Sequence, residues 1–414
     1  MKTSQTHLPS LLSSLLFLLG AVLILSTGLL MGGTALLLVA QGKNIQIQQT
    51  ILFVAFGFEA VILFLAAFFS FQKTLQKPSA DRETFFNLSL WQMIIIVLAA
   101  SVSILVGSWV GAIKSVNWLV LPILTIPAAV LPLGVLLGLG TRKLPLGTRW
   151  QTWSVLGLGM TLIPFVLLIL EIVIAVILFF GVIAYLTTQP ELVYRLQGLS
   201  QQILVLGPQS EAARELLSPL LTKPGVIVMA LLYTALLVPA VEEIFKPLGV
   251  WLFASKLDSP AQGFALGALS GASYALIETI GVSGQGGEWA SLLFTRIGTG
   301  LLHITTSALM GAAIVVAIRQ RNYLRLLGTY VLAVTLHGLW NTSAILYTFS
   351  NLAKVLGQTD RLSTIQPITI IAMSALAVGL FVILLISNQR MRKTITPPVI
   401  EPAIPPSDID QPLP

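Results

Sequence analysis

Long apolar runs separated by short polar segments dominate the chain. The runs are continuous and do not alternate with period two. A helix needs about 20 apolar residues to cross a bilayer, and only helices or closed barrels satisfy the backbone there. The pattern therefore predicts an all-α, polytopic transmembrane helix bundle of about ten spans. The predicted spans are 11–40, 50–71, 90–113, 118–140, 152–187, 225–254, 261–281, 290–318, 323–347 and 365–387.

The composition supports a membrane protein and assigns an orientation. Hydrophobic residues make up 56% of the chain and charged residues only 9%, whereas a soluble domain carries about a quarter charged residues. The excess of 23 Lys+Arg over 16 Asp+Glu lies mainly in short loops, where it determines topology. About twice as many basic residues fall on the side of the two termini, so both termini are predicted to be cytoplasmic. The chain is expected to lie in a lipid bilayer and not to bind nucleic acid.

The polar segments divide the chain into regions. The first apolar run is about twice as long as a signal-peptide core, so it is expected to remain as a span. The absence of cysteine excludes thiolate catalysis and cysteine metal sites. The predicted regions are five N-terminal spans of unknown role (1–188), an amphipathic outer loop (189–224), a four-span core (225–347), a last span (348–388) and a disordered proline-rich tail (389–414).

Ionisable residues inside the predicted spans point to function. Placing one such side chain at the centre of a membrane helix costs about 2.5 kcal/mol or more, so each is a candidate for a functional role. Glu59 and Glu171 stand alone, and they indicate either hydrogen bonding inside the bundle or a role near the functional site or in substrate entry. The other five lie on three consecutive spans of the core: Glu242, Glu243, Lys246, Glu278 and Arg296.

The sixth span carries the densest polar group. Glu242 and Glu243 are adjacent, and Lys246 follows at helical spacing from both. Two carboxylates in a low-dielectric site cannot both ionise cheaply, whereas a nearby ammonium favours ionising one. A carboxylate beside a carboxylic acid suits general acid and base chemistry on a carbonyl. The alternative is a structural salt bridge or a pair that reaches the membrane surface.

The next span places an acid on a close-packing face. Tyr274 and Glu278 are one turn apart, and nearly the same face carries a ladder of small residues: Gly263, Gly267, Gly271 and Ala275. Such ladders let helices approach closely, so Glu278 is expected to face the bundle interior. The alternative is that the ladder serves packing only and Glu278 ends the helix.

Two histidines follow on the eighth and ninth spans. His303 shares a face with Arg296, and His337 shares one with Asn341. These groups could stabilise an oxyanion. Alternatively Glu243, His303 and His337 could bind a single divalent metal such as zinc, because two histidines and a glutamate form a recurrent catalytic zinc site. No cofactor is certain from this pattern, and core histidines with a purely structural role are the remaining alternative.

Because lipid offers no partners to polar groups, these faces are expected to converge on one cavity. We predict that Glu243, His303 and His337 lie within about 10 Å of one another. Arg296 is expected at the entrance, paired with Glu278.

Depth in the membrane is a difficulty for this prediction. With the boundaries above, the Glu243 and Glu278 side chains start near opposite ends of their spans. A broken helix would bring them level, and Pro239 and Pro247 flank the glutamate pair where such a break is expected.

The order of these motifs resembles the PrsW family of bacterial intramembrane proteases. The matching residues are Glu242, Glu243, Lys246, Tyr274, Glu278, His303, Gly311, His337 and Asn341. They span about residues 225–345. Tyr274 stands where the family usually has Phe, and Thr279 stands where an amide is expected. A looser similarity links the chain to the CAAX prenyl endopeptidase and bacteriocin-processing group.

The resemblance implies an integral protein of the bacterial plasma membrane that acts on a membrane-anchored protein or peptide. It implies an intramembrane endopeptidase that hydrolyses a peptide bond with a glutamate-activated water, using Glu242, Glu243, Lys246, Glu278, His303, His337 and Asn341. The alternatives are a CAAX-type endopeptidase, a proton-coupled transporter that uses the buried cluster, or a scaffold that has lost catalysis. The two halves show none of the sequence repeats typical of transporters.

Overall fold

The computed structural model describes residues 7–43, 45–188, 190–207, 212, 216, 224–282, 289–355 and 364–395. The first helices are α1 (Leu8–Ala40), α2 (Ile47–Thr74), α3 (Leu90–Gly111), α4 (Asn117–Gly140), α5 (Arg149–Met160), α6 (Leu162–Leu186) and α7 (Pro190–Leu206). The later helices are α8 (Pro224–Leu231), α9 (Val238–Phe245), α10 (Leu248–Phe253), α11 (Pro260–Val282), α12 (Trp289–Gln320), α13 (Tyr323–Val355) and α14 (Gln366–Lys393). A π-helix, Leu232–Leu237, joins α8 to α9, and two short 3₁₀ turns cover Pro78–Asp81 and Ala254–Lys256.

The architecture is the predicted polytopic helical bundle. Within the described residues, nine helical stretches are long and apolar enough to cross a membrane. The predicted ninth span is helical as α13 but is not one of the nine, and it carries Arg325, His337 and Asn341. The chain is therefore an integral membrane protein.

The predicted fifth span consists of two helices. α5 ends at Met160, and Thr161 leaves the helical conformation before α6 begins. Pro164 provides the reason, because it has no N–H to donate to the carbonyl of Met160 four residues earlier. The predicted span, 152–187, is longer than the roughly 20 residues that a helix needs to cross a bilayer, and the break divides it.

The sixth span is broken near its glutamates, as expected if Glu243 and Glu278 are to lie at the same depth in the membrane. The π-helix precedes α9, and α9 ends at Phe245, just before Pro247. The amide of Val250 donates to the carbonyl of Pro247, so α10 starts a new helix. α9, which carries both glutamates, is therefore a short segment between two interruptions.

α11 and α12 form the centre of the bundle, and the small residues of the ladder explain their close packing. A Cβ atom at Gly263, Gly267 or Gly271 would overlap a backbone carbonyl of α12. Those carbonyls belong to Gly311, Ser307 and His303, one helical turn apart. The ladder brings the backbone of α12 against α11 at the level of His303, as small-residue faces do in membranes.

The surrounding elements complete the described bundle. α1 packs along α2, and α3 packs along α4. A two-stranded antiparallel sheet pairs β1 (Glu83–Phe85) with β2 (Pro145–Thr148) in the connecting loops. The predicted outer loop contains α7 up to Leu206, and most of its remainder lies outside the described residues, as does the proline-rich tail from residue 396.

Candidate active site

Lys246 lies at the centre of a buried polar cluster and is 0% exposed. Its Nζ lies 2.5 Å from Oε1 of Glu243 and 2.9 Å from Nδ1 of His303. Longer distances of 3.4 Å join the same Nζ to Oε2 of Glu242 and to Nδ1 of His337. Three helices, α9, α12 and α13, therefore meet at one ammonium group.

The broken helix explains how Lys246 is held. The Lys246 amide closes the last turn of α9 on the carbonyl of Glu242 at 2.8 Å. Its own carbonyl would normally accept from the amide of Val250, but that amide donates to Pro247 instead. The hydroxyl of Ser270 on α11 donates to the Lys246 carbonyl at 2.5 Å and so supplies the missing partner.

His303 links the lysine to a second ion pair. Its Nε2 lies 2.8 Å from Oε2 of Glu278, and Oε1 of Glu278 lies 3.0 Å from Nη1 of Arg296. A carboxylate only accepts, so Nε2 of His303 carries the proton and Nδ1 presents its lone pair to the Lys246 ammonium. The predicted pairing of Arg296 with Glu278 is confirmed.

His337 has the opposite arrangement of its ring nitrogens. Its Nδ1 donates to Oε1 of Glu243 at 2.7 Å, which leaves the lone pair on Nε2. The rings of His303 and His337 pack edge to face with centroids 5.3 Å apart. The predicted convergence of Glu243, His303 and His337 is therefore confirmed, and α11 adds Tyr274, whose ring lies 5.3 Å from that of His303.

Both glutamates of α9 keep one oxygen without a hydrogen bond. Within the described residues, Oε2 of Glu242 and Oε2 of Glu243 are buried and accept no hydrogen bond, although Oε2 of Glu242 lies 3.4 Å from Nζ of Lys246 in an ion pair. Leaving a buried polar atom without a partner costs about 1–3 kcal/mol. Such atoms are uncommon in folded proteins, and where they occur they often take part in catalysis or face a bound ion.

Three residues of the cluster fit a metal ion. Glu242, His303 and His337 each offer a ligand atom, and these atoms lie within 4.8 Å of one another. Oε2 of Glu242 supports the fit, because it accepts no hydrogen bond from the described residues. The His303–Glu278 pair supports it as well, because a metal-binding histidine usually gives its other nitrogen to a carboxylate. The carboxylate of this set is Glu242, whereas the sequence indicated Glu243, whose Oε1 is already bonded to Lys246 and His337.

Asn341 contacts the π-helix. Its Nδ2 donates to the carbonyl of Thr234 at 2.7 Å. In a π-helix that carbonyl would accept from the residue five positions on, which is Pro239 and has no N–H. Gly338 brings α13 against the neighbouring carbonyl of Ala235, since a Cβ there would overlap it. Asn341 thus satisfies a carbonyl left open by a proline, one turn from His337.

Two residues outside the predicted set of site residues contribute to the cluster. The sequence pattern singled out Glu171 but not Ser270. Ser270 lies one turn before Tyr274 and two turns before Glu278, so extending that polar face by one turn would have found it. Glu171 on α6 lies close enough to Glu242 and Glu278 to interact with them electrostatically. The backbone carbonyl of Glu171 accepts from the Tyr233 hydroxyl at 3.3 Å, which joins α6 to the π-helix.

The comparisons with known proteins agree with this site. A search of curated proteins found no match, and neither did a search of solved structures. The family model described as PrsW family intramembrane metalloprotease matches residues 150–378, more than half of the chain, and this range contains the whole cluster around Lys246. That match supports intramembrane peptidase activity. The chain belongs to the PrsW family of intramembrane proteases.

Proposed function

We propose that the chain hydrolyses a peptide bond of a membrane-anchored protein or peptide at the cluster around Lys246, with Glu243 as the general base. The observation that carries the proposal is Oε2 of Glu243, a buried carboxylate oxygen that has no hydrogen-bond partner in the part of the chain that the structure describes. The other oxygen of Glu243 is fixed by Lys246 and His337. One oxygen thus orients the carboxylate while the other remains available for a proton.

The proposed proton transfers follow from this arrangement. A water beside Glu243 gives a proton to Oε2 as its oxygen attacks the carbonyl carbon of the substrate peptide. The same carboxyl then returns the proton to the substrate nitrogen as the C–N bond breaks, giving a free acid and a free amine. The positive charge of Lys246 favours the ionised form of Glu243 at the start of the cycle.

The second glutamate is proposed to have a different role. Glu242, His303 and His337 would hold a divalent metal such as zinc, which when bound polarises a carbonyl and activates water. Glu278 fixes the His303 ring through Nε2, and Glu243 fixes the His337 ring through Nδ1. The chain's own contribution is thus to orient both imidazoles before a substrate arrives.

Substrates are proposed to enter from the bilayer between α6 and the π-helix. α6 buries only Ile163 and Leu167, and neither α8 nor the π-helix buries any residue. The contact of Tyr233 with the Glu171 carbonyl lies at this boundary. A transmembrane segment could reach the four-span core, residues 225–347, here without crossing the tightly packed α11–α12 pair. A bacterial plasma membrane is the proposed location, by the family resemblance.

Cleavage of a membrane-anchored reporter by the protein reconstituted in liposomes tests the proposed base. Glu243→Gln keeps the size of the side chain but removes its ability to hold a proton, so cleavage should fall by about 10²-fold or more. Glu59→Gln is the matched control, because Glu59 is also a buried glutamate with an unpaired oxygen but lies on α2. Full cleavage by Glu243→Gln would refute the proposed base.

A further inference from the structure

The Lys246 ammonium lies against two of the atoms that would bind a metal. Its distances to Nδ1 of His303 and Oε2 of Glu242 are 2.9 and 3.4 Å. Both of these residues belong to the set of three ligand atoms that lie within 4.8 Å of one another. The ammonium group of lysine is a cation with three donors and no acceptor, so Lys246 places a positive charge against these atoms.

His303 cannot serve both partners at once. Its Nε2 carries the proton given to Glu278, so Nδ1 holds the only lone pair of the ring. That lone pair accepts from Lys246. A metal ion needs the same lone pair, because ligation and hydrogen bonding use the same electrons.

Charge leads to the same result. The two glutamates of α9 face Lys246 in a region where all three side chains are nearly or fully buried. A single cation offsets part of their charge, but an ammonium and a divalent ion a few ångströms apart would repel strongly at low dielectric. Both cations are therefore not expected in contact with His303 together.

We propose that Lys246 and a divalent metal ion are alternative occupants of one site, so that Lys246 leaves His303 and Glu242 before the metal binds. Lys246 retains Glu243 as a partner in either state, because Glu243 is not among the three metal ligands. The lysine thus acts as an internal competitor that lowers metal affinity and offsets part of the charge of the buried carboxylates in the metal-free protein. This inference rests on the metal site in the proposed function.

Zinc affinity measures the competition directly, with no need for catalytic activity. Detergent-solubilised full-length protein would be titrated with Zn²⁺ against a fluorescent chelator, with His303→Ala/His337→Ala as the background. Lys246→Met removes the competing cation and should bind Zn²⁺ about tenfold tighter or more, given the strength of charged hydrogen bonds. Lys256→Met, at an exposed lysine, is the matched control and should match the wild type.

A second variant and a second measurement cover the case in which Lys246→Met does not fold. Lys246→Gln keeps a donor and most of the length, and it should also bind Zn²⁺ more tightly than the wild type. Its thermal midpoint should rise further on adding Zn²⁺ than that of the wild type, because the ion replaces the lost cation. Equal or weaker Zn²⁺ binding by both variants would overturn the competition. No Zn²⁺ binding by any variant would also overturn it, while the reporter assay with Glu243→Gln tests hydrolysis separately.

Discussion

His303 on α12 donates from Nε2 to Oε2 of Glu278 on α11 at 2.8 Å, and Glu278 is itself held by Arg296. This chain of contacts determines which nitrogen of His303 faces the cluster. Because Nε2 is used, the lone pair on Nδ1 points at Lys246 and at the proposed metal position. Glu278 is therefore a positioning residue in our interpretation, although about a third of its side chain is exposed.

Replacing Glu278 with Ala should lower both Zn²⁺ affinity and reporter cleavage by about 10- to 100-fold, the usual effect of losing the carboxylate behind a metal-bound histidine. Arg296→Gln should have a smaller effect, because Glu278 keeps His303 as its partner. Chelator competition and reporter cleavage measure the two quantities. Wild-type values for Glu278→Ala in both assays would contradict the positioning role.

Replacing Ser270 with Ala removes the donor to the Lys246 carbonyl. That carbonyl would then be buried without a partner, so we expect a loss of about 1–3 kcal/mol in the free energy of unfolding. Ser273→Ala is the matched control, since the Ser273 hydroxyl donates to the Leu269 carbonyl within its own helix. Unfolding in detergent should separate the two variants, and equal losses would argue against a special role for Ser270.

Replacing Asn341 with Ala distinguishes the predicted catalytic role from the observed contact with Thr234. If Asn341 positions the π-helix, the variant should lose about 1–3 kcal/mol of stability and keep measurable cleavage, whereas His337→Ala should keep none. The comparison requires turnover rates for both variants and their unfolding midpoints. Complete loss of turnover in stable Asn341→Ala protein would favour direct participation in catalysis.

Replacing Gly267 with Ala tests the close packing of α11 on α12. The added Cβ would overlap the Ser307 carbonyl, so the helices must separate, at a cost of about 1–3 kcal/mol. Gly379→Ala on α14 is the control, because a Cβ there meets nothing within 4 Å. Thermal unfolding in detergent should show a lower midpoint for the first variant only. Unchanged stability of Gly267→Ala would show that the interface has room to adjust.

The sequence alone predicted the membrane bundle and most of the residues of the cluster. Apolar runs of bilayer length determine the helices, because lipid leaves the backbone no other partner than itself. Helical spacing then places Glu243 with Lys246 and Tyr274 with Glu278 on common faces. The high cost of an isolated charge in lipid predicted that these faces would meet, which the contacts of Lys246 confirm.

The tertiary structure decided how the cluster is connected. Spacing along a helix does not say which oxygen of two adjacent glutamates points inward, so the sequence indicated Glu243 as a metal ligand where the geometry favours Glu242. Spacing also does not predict that Asn341 donates to the carbonyl of Thr234. That carbonyl lacks a backbone partner because of a proline on another helix. Periodicity determines which face a side chain occupies. Its partners depend on how neighbouring helices are broken, rotated and brought together, and only the folded chain determines that.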